Sequence, residues 1–338
     1  MLQSRRGFIG VAAATAASLA LPNPLLAATG PRSRLPWLSG VCSWDVPTFE
    51  GWRKRRLDLL ITFTTYDNLY QFYRPGRSVT LLGKYLDRPE RLVVSLPMFP
   101  RTGGPFPAKD SSQWAGIAKG NFDDSWRTQI SYLRGITSKN DIIFRPGWEW
   151  GGGGSFPWVI HDPGQAENYK TSYRRYVKII KEYFPSSKID WTSSRVPQAD
   201  AHIDAFYPGG DVIDYIGHHH YDRDPASRTK AQFNANAQEK GKAGPEGIQA
   251  WLDYCKSKRK PMSLPEWGLW STDKAGGGDN PAFIQYMYNF LKKNRNSIAY
   301  EAYFNMNGVA QHTLGPDSSG KYVNPKASAV YKRLFGAF

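Results

Sequence analysis

The chain has 338 residues, of which 41% are apolar, 22% charged and 14% aromatic, a composition that excludes a disordered, collagen-like or coiled-coil protein. Its formal charge of +15 leaves any polyanion open as a partner. Two cysteines, Cys42 and Cys255, are too few for a disulfide scaffold and read as small buried hydrophobes.

In chain order the first feature is an address. Ser4-Arg5-Arg6-Gly7-Phe8-Ile9-Gly10 leads into an Ala-rich apolar stretch from Val11 to Leu21, followed by Pro22, Pro24 and the small residues Ala27-Ala28. The segment resembles a twin-arginine export signal, and its apolar run is shorter than the ~20 residues that span a bilayer. Residues 1–28 are therefore expected to be removed, leaving a domain over 29–338 in the periplasm or outside the cell. Glycans are expected partners there; nucleic acid is not, and neither is a membrane once the signal is gone.

Short β-branched or aromatic runs then alternate with segments of helical period, the pattern of repeated βα units. The spacing predicts strands at 37–44, 57–66, 91–98, 140–149, 187–195, 211–221, 260–267 and 298–306. Helices are predicted at 123–136, 165–183, 244–257, 281–293 and 325–335, the last opening on Asn324-Pro325, an N-cap followed by Pro at the first helical position. Shorter helical segments are predicted at 48–56 and 202–207. No repeat, Pro-rich linker or charge block divides the chain. Eight parallel strands in one domain predict an α/β fold closed into a (β/α)8 TIM barrel.

Reactive groups of such barrels sit at the carboxyl ends of the strands. Two predicted strands end in Glu: IIFRPGWEW carries Glu149 at the fourth and PMSLPEWG carries Glu266 at the seventh, across the barrel mouth. On an alternating pleat Glu149 is expected to share a face with Arg145 and Gly147, and Glu266 with Met262 and Leu264. Pro265, poorly tolerated inside a parallel strand, places Glu266 at the strand's end. Two opposed carboxyls are what glycosidic hydrolysis requires, one protonated for the leaving oxygen and one ionised to attack or to activate water.

The runs IIFRPGWEWGGGGSFPW, YPGGDVIDYIGHHHYD and KPMSLPEWGLW resemble, in order and spacing, stretches of glycoside hydrolase family 26. The resemblance spans nearly all of 37–338. It implies a (β/α)8 retaining endo-glycanase acting on a β-glycan by double displacement, with Glu149 as acid/base, Glu266 as nucleophile and Tyr221 beside the nucleophile. It implies no cofactor. Against the pattern of mannan-active members, Trp148 stands where His is usual and Gly151-Gly152-Gly153-Gly154 where Asn-Gly is usual. An exported glycan-binding protein that has lost turnover, or a transglycosylase, forms the alternative.

His218-His219-His220 alternate across a strand, so three-histidine metal binding is not expected. His219, on the face of Tyr221, is expected to hydrogen-bond sugar. Trp44, Trp148, Trp150, Trp158, Trp267 and Trp270 cluster at strand ends, where flat rings suit the C–H faces of pyranoses. Arg145 has the parity to point inward and orient a carboxylate. A monomer acting on a polysaccharide or oligosaccharide is expected, and the net charge favours an anionic one.

Overall fold

β-branched and aromatic runs supply eight strands: β1 (Leu38–Cys42), β2 (Leu59–Phe63), β3 (Arg91–Leu96), β4 (Ile143–Pro146), β5 (Lys188–Ser193), β6 (Tyr215–Tyr221), β7 (Met262–Gly268) and β8 (Ile298–Phe304). In the computed structural model every neighbouring pair is parallel and β8 closes on β1, so the sheet is a barrel. The structure describes residues 35–77, 80–102, 113–151, 156–194, 201–308 and 310–336. The twin-arginine segment and Gly152–Gly154 lie outside the described residues.

Around the barrel run α1 (Val46–Arg53), α2 (Leu69–Phe72), α3 (Leu81–Tyr85), α4 (Gln113–Ala118), α5 (Asp123–Ile136), α6 (Ala166–Tyr183), α7 (Lys230–Ala237), α8 (Ile248–Ser257), α9 (Pro281–Lys293) and α10 (Pro325–Phe335). Local chemistry sets their starts. Asp45 caps α1 by accepting the Thr48 N–H, and α9 and α10 each open on Asn-Pro, where the missing Pro N–H would have had no helical partner. Among the described residues no helix is long and apolar enough to cross a membrane.

Two predicted helices change. Segment 202–207 forms only the 3₁₀ turn Ile203–Phe206. Residues 244–247 do not open α8, because Gly244–Pro245 pairs with Lys240–Gly241 in a small antiparallel ribbon and the helix starts at Ile248.

The core has two layers of different character. Between barrel and helices it is apolar and aromatic; Trp126 stacks on Tyr176 at 4.7 Å, and Phe335 on Tyr331 at 4.5 Å. Within the barrel it is polar. Asp190 Oδ2 accepts from Ser263 Oγ at 2.6 Å and from Tyr300 OH, while Oδ1 accepts from Thr192 Oγ1 at 3.0 Å. Gly217 makes this network possible, since a Cβ there would stand 2.5 Å from Asp190 Oδ1 and Thr192 Oγ1. Burial holds the Asp190 carboxyl above its ordinary range, with the three hydroxyl donors working against that shift. Cys42 and Cys255 are buried free thiols.

Candidate active site

The pleat does not place Glu149. β4 ends at Pro146, and the chain then turns through left-handed backbone at Gly147 (φ 55°) and Glu149 (φ 56°). Gly147 N–H donates to Leu96 O at 2.8 Å and Glu149 N–H to Thr192 O at 3.1 Å, so the turn is pinned to β3 on one side and β5 on the other. Glycine is required at 147 for close packing as well as for its φ, because a Cβ would meet Met98 Sδ at 2.7 Å. The expected alternation of Arg145, Gly147 and Glu149 therefore fails: only Arg145 lies within the strand.

Parity fails at Glu266 too, for another reason. β7 runs through Pro265 and Glu266 to Gly268, so Glu266 lies inside the strand and not at its end. Ser263 pairs with Gly217 but Glu266 pairs with His219, three residues matched against two, and the pairing with β8 slips at the same level. This bulge absorbs the N–H that Pro265 lacks. It also puts Glu266 on the inward face with Ser263, not with Met262 and Leu264.

The two carboxyls meet at one histidine. His219 Nδ1 donates to Glu149 Oε1 at 2.7 Å, and Nε2 lies 3.0 Å from Glu266 Oε1. Arg145 Nη2 donates to the same Glu266 oxygen at 2.8 Å, while its Nη1 and Nε reach Ser95 Oγ at 3.0 Å and Thr192 Oγ1 at 3.3 Å. Tyr221 OH donates to Glu266 Oε2 at 3.2 Å. Burial by itself would raise the Glu266 pKa, but the charges of His219 and Arg145 and their hydrogen bonds outweigh it and hold the carboxyl at about 2. For His219 burial pulls the pKa down, and the two carboxylates more than reverse this, so the imidazolium is favoured. Burial, then Glu266 and Glu149, push Tyr221 well above its ordinary value, which keeps it a phenol donor.

Glu149, Tyr221 and Glu266 line a cleft of about 520 Å³, while His219 and Arg145 are buried. Phe63, Tyr66, Trp148 and Phe156 join Glu149, and Tyr221, Trp270 and Phe304 join Glu266 in its lining. Met306 and Asn307 also belong to a neighbouring groove of about 330 Å³, where Trp44 stands 47% exposed, so the two depressions are continuous.

The six tryptophans divide accordingly. Trp148 and Trp270 line the cleft and Trp44 the groove. Trp150, Trp158 and Trp267 are fully buried and out of a ligand's reach. Trp150 stacks on Trp191 at 4.9 Å, Trp158 donates to Trp148 O at 2.7 Å, and Trp267 faces outward to Glu301 Oε2 at 2.6 Å. His218 and His220 face away from Glu266, against Trp251 and Phe283. His219 is not placed to hydrogen-bond sugar, since both ring nitrogens serve the carboxylates. Sequence reasoning missed Phe63, Tyr66, Phe156, Phe304 and His312 as lining residues; Phe63 and Phe304 end their strands and Tyr66 closely follows β2, which was the available signal, whereas Phe156 and His312 lie eight or more residues beyond theirs.

Glu149, His219 and Glu266 offer ligand atoms within 4.8 Å of one another, close enough to bind a metal. Their chemistry argues against it, because Arg145 already brings a positive charge to Glu266 Oε1 and stands beside His219 Nε2. The described lining of the cleft contains no Lys or Arg.

No protein-family model matches this chain, and no curated protein does. Solved structures do. The structure of GH26C from a Muricauda species is 15% identical, with a TM-score of 0.60 over 90% of this chain and 85% of that one. A family 26 β-mannanase from Bacteroides ovatus is 16% identical, with a TM-score of 0.60 and 88% of each chain covered. The catalytic domain of a Bacillus family 26 endo-β-1,4-mannanase is 14% identical, with a TM-score of 0.61 over 89% of this chain and 87% of that one. At such identities the likeness establishes the fold: this is a (β/α)8 barrel like those of family 26 structures.

Proposed function

We propose that the protein is a retaining glycoside hydrolase acting within β-linked polysaccharides. The observation that carries the reading is the facing pair in one aromatic cleft, Glu149 and Glu266, with an oxygen of each within 4.8 Å of the other. Carboxyls separated by ~5–5.5 Å characterise retention, whereas inversion needs ~6.5–9.5 Å to admit a water behind the sugar. Glu266, kept ionised by His219 and Arg145, attacks the anomeric carbon as the glycosidic C–O bond breaks. Glu149 gives its proton to the departing oxygen. His219 Nδ1, 2.7 Å from Glu149 Oε1, donates a hydrogen bond that orients that carboxyl. The intermediate is a glycosyl ester on Glu266. Glu149, now ionised, takes a proton from water as the water oxygen attacks the same carbon, which frees Glu266 and restores the acid.

The family-26-like fold supports a polysaccharide substrate, since the neighbours named above include β-mannanases. Continuity of cleft and groove supports a chain longer than a disaccharide and cleavage within it. The described lining of the cleft holds no Lys or Arg, which favours a neutral glycan at the scissile bond, whereas Lys321 lines the continuous groove and Arg101 and Arg223 pack on the Tyr66 and Trp270 rings. Reducing-end release from a panel of mannan, mixed-linkage glucan, xylan and an acidic polymer tests the class. Proton NMR of the first-formed product tests the mechanism: the retained anomer is expected, and an inverted one would overturn it. Glu266→Ala should abolish release, and Glu149→Ala should lose far more on poor leaving groups than on activated aryl glycosides.

A further inference from the structure

A dense part of the chain's positive charge lies away from the cleft. In this barrel the helices run back to the end where the strands begin, so their last turns gather on the face opposite the mouth. Four helices there are neighbours. α10 packs on both α9 and α1, while α8 and α9 lead into the paired strands β7 and β8. The segments that finish these helices, 54–58, 256–260, 292–296 and 332–336, hold twelve Lys or Arg and one acidic residue, Asp58. Asp58 is engaged, accepting the Ser39 N–H at 2.9 Å. Lys54, Arg259, Lys293, Arg295, Lys332 and Arg333 are exposed. One cation per helix would answer the dipole at a helix C-terminus, and with Lys256 and Lys292 this face carries eight exposed ones, about two per helix.

We propose that this face docks on an anionic phospholipid bilayer, holding the cleft toward the opposite side. Three observations favour lipid over a soluble polyanion. The charge forms a broad front across four helix ends, where a single polymer strand would call for a line. Seven of the twelve cations are lysines, and five of these, Lys54, Lys256, Lys292, Lys293 and Lys332, are exposed point charges that meet phosphates without fixed geometry, whereas Lys258 pairs with Asp204 and Lys260 Nζ donates to Ile213 O. A large apolar side chain also stands on this face: Leu38, the first residue of β1, is 39% exposed. The attraction of the basic front acts within a Debye length of the headgroups.

The test is co-sedimentation of the full chain with vesicles of phosphatidylcholine alone or mixed with phosphatidylglycerol. Affinity for the anionic vesicles should be about tenfold or more above that for neutral ones, should fall as salt is raised, and should drop to the neutral level in Lys293→Glu/Arg295→Glu/Lys332→Glu/Arg333→Glu. An unchanged melting transition certifies that variant; if it melts early, the milder Lys293→Gln/Lys332→Gln should still weaken binding measurably. Equal binding to both vesicle types, binding unaffected by the substitutions, or capture by soluble polyphosphate without capture by vesicles would each overturn the proposal.

Discussion

His219 is the residue on which the site turns, because it touches both carboxyls at once. His219→Gln keeps one donor at most and cannot carry a proton, so kcat/KM should fall by about 10²–10³-fold and the alkaline limb of the pH–rate profile should move. An unaltered profile would show that the ring only packs. Glu149 carries a second, separable property. Its φ of 56° lies in the left-handed region, where a Cβ is strained by about 1 kcal/mol or more. Glu149→Ala and Glu149→Gly remove the same carboxyl, but only glycine relieves the backbone. The glycine variant should therefore be the more stable of the two by about 1 kcal/mol in urea denaturation. Equal stabilities would mean that the turn relaxes when the side chain is cut.

Among elements, α10 shows how the outer layer holds the inner one. Phe335 lies flat on Tyr331 and 5.6 Å from Trp267, the outward neighbour of Glu266 on β7. Phe335→Ala should reduce unfolding free energy by about 3–5 kcal/mol, read from the denaturation midpoint. All eight strands were legible because β-branched and aromatic runs of strand length, bounded by turn residues, alternate with longer segments of helical period. Their ends were not. Where β4 stops depends on the left-handed turn at Gly147 and Glu149, a backbone property that alternation does not encode. The face of Glu266 depends on a one-residue slip against β6, which a proline announces without fixing its register. The position of Glu149, Glu266, Tyr221, Trp148 and Trp270 near strand ends could be read from the motifs. The bridge through His219 could not, since it arises only when turn and bulge act together. Burial separated Trp150, Trp158 and Trp267 from the cleft, and sequence position carries no burial information for a residue at a strand end.

For the whole molecule the charged pair predicts a stability profile with pH. Glu266, held at about 2 against ~4.3 for a free Glu, contributes stability that is full above the unfolded value and is lost as pH falls toward 2. His219 is shifted upward from an unfolded value near ~6.5, so its contribution is full below that value and is lost as pH rises through the folded one. Together they are both fully felt between about pH 4.5 and 6.5. The melting temperature should decline on the alkaline side of that window, and His219→Gln should flatten the decline; an identical slope in the variant would place its cause elsewhere. The placement of the two chain ends has a practical consequence. Leu35 precedes β1, and Gly336 follows α10 with its N–H on Lys332 O, so both ends of the described chain leave from the floor of the barrel. Anything joined at Leu35 or Gly336, whether an affinity tag, a second module or a solid support, would hang below the barrel. An immobilised molecule should therefore process a soluble oligosaccharide as fast as a free one, and a crowded bead would still present an array of open mouths.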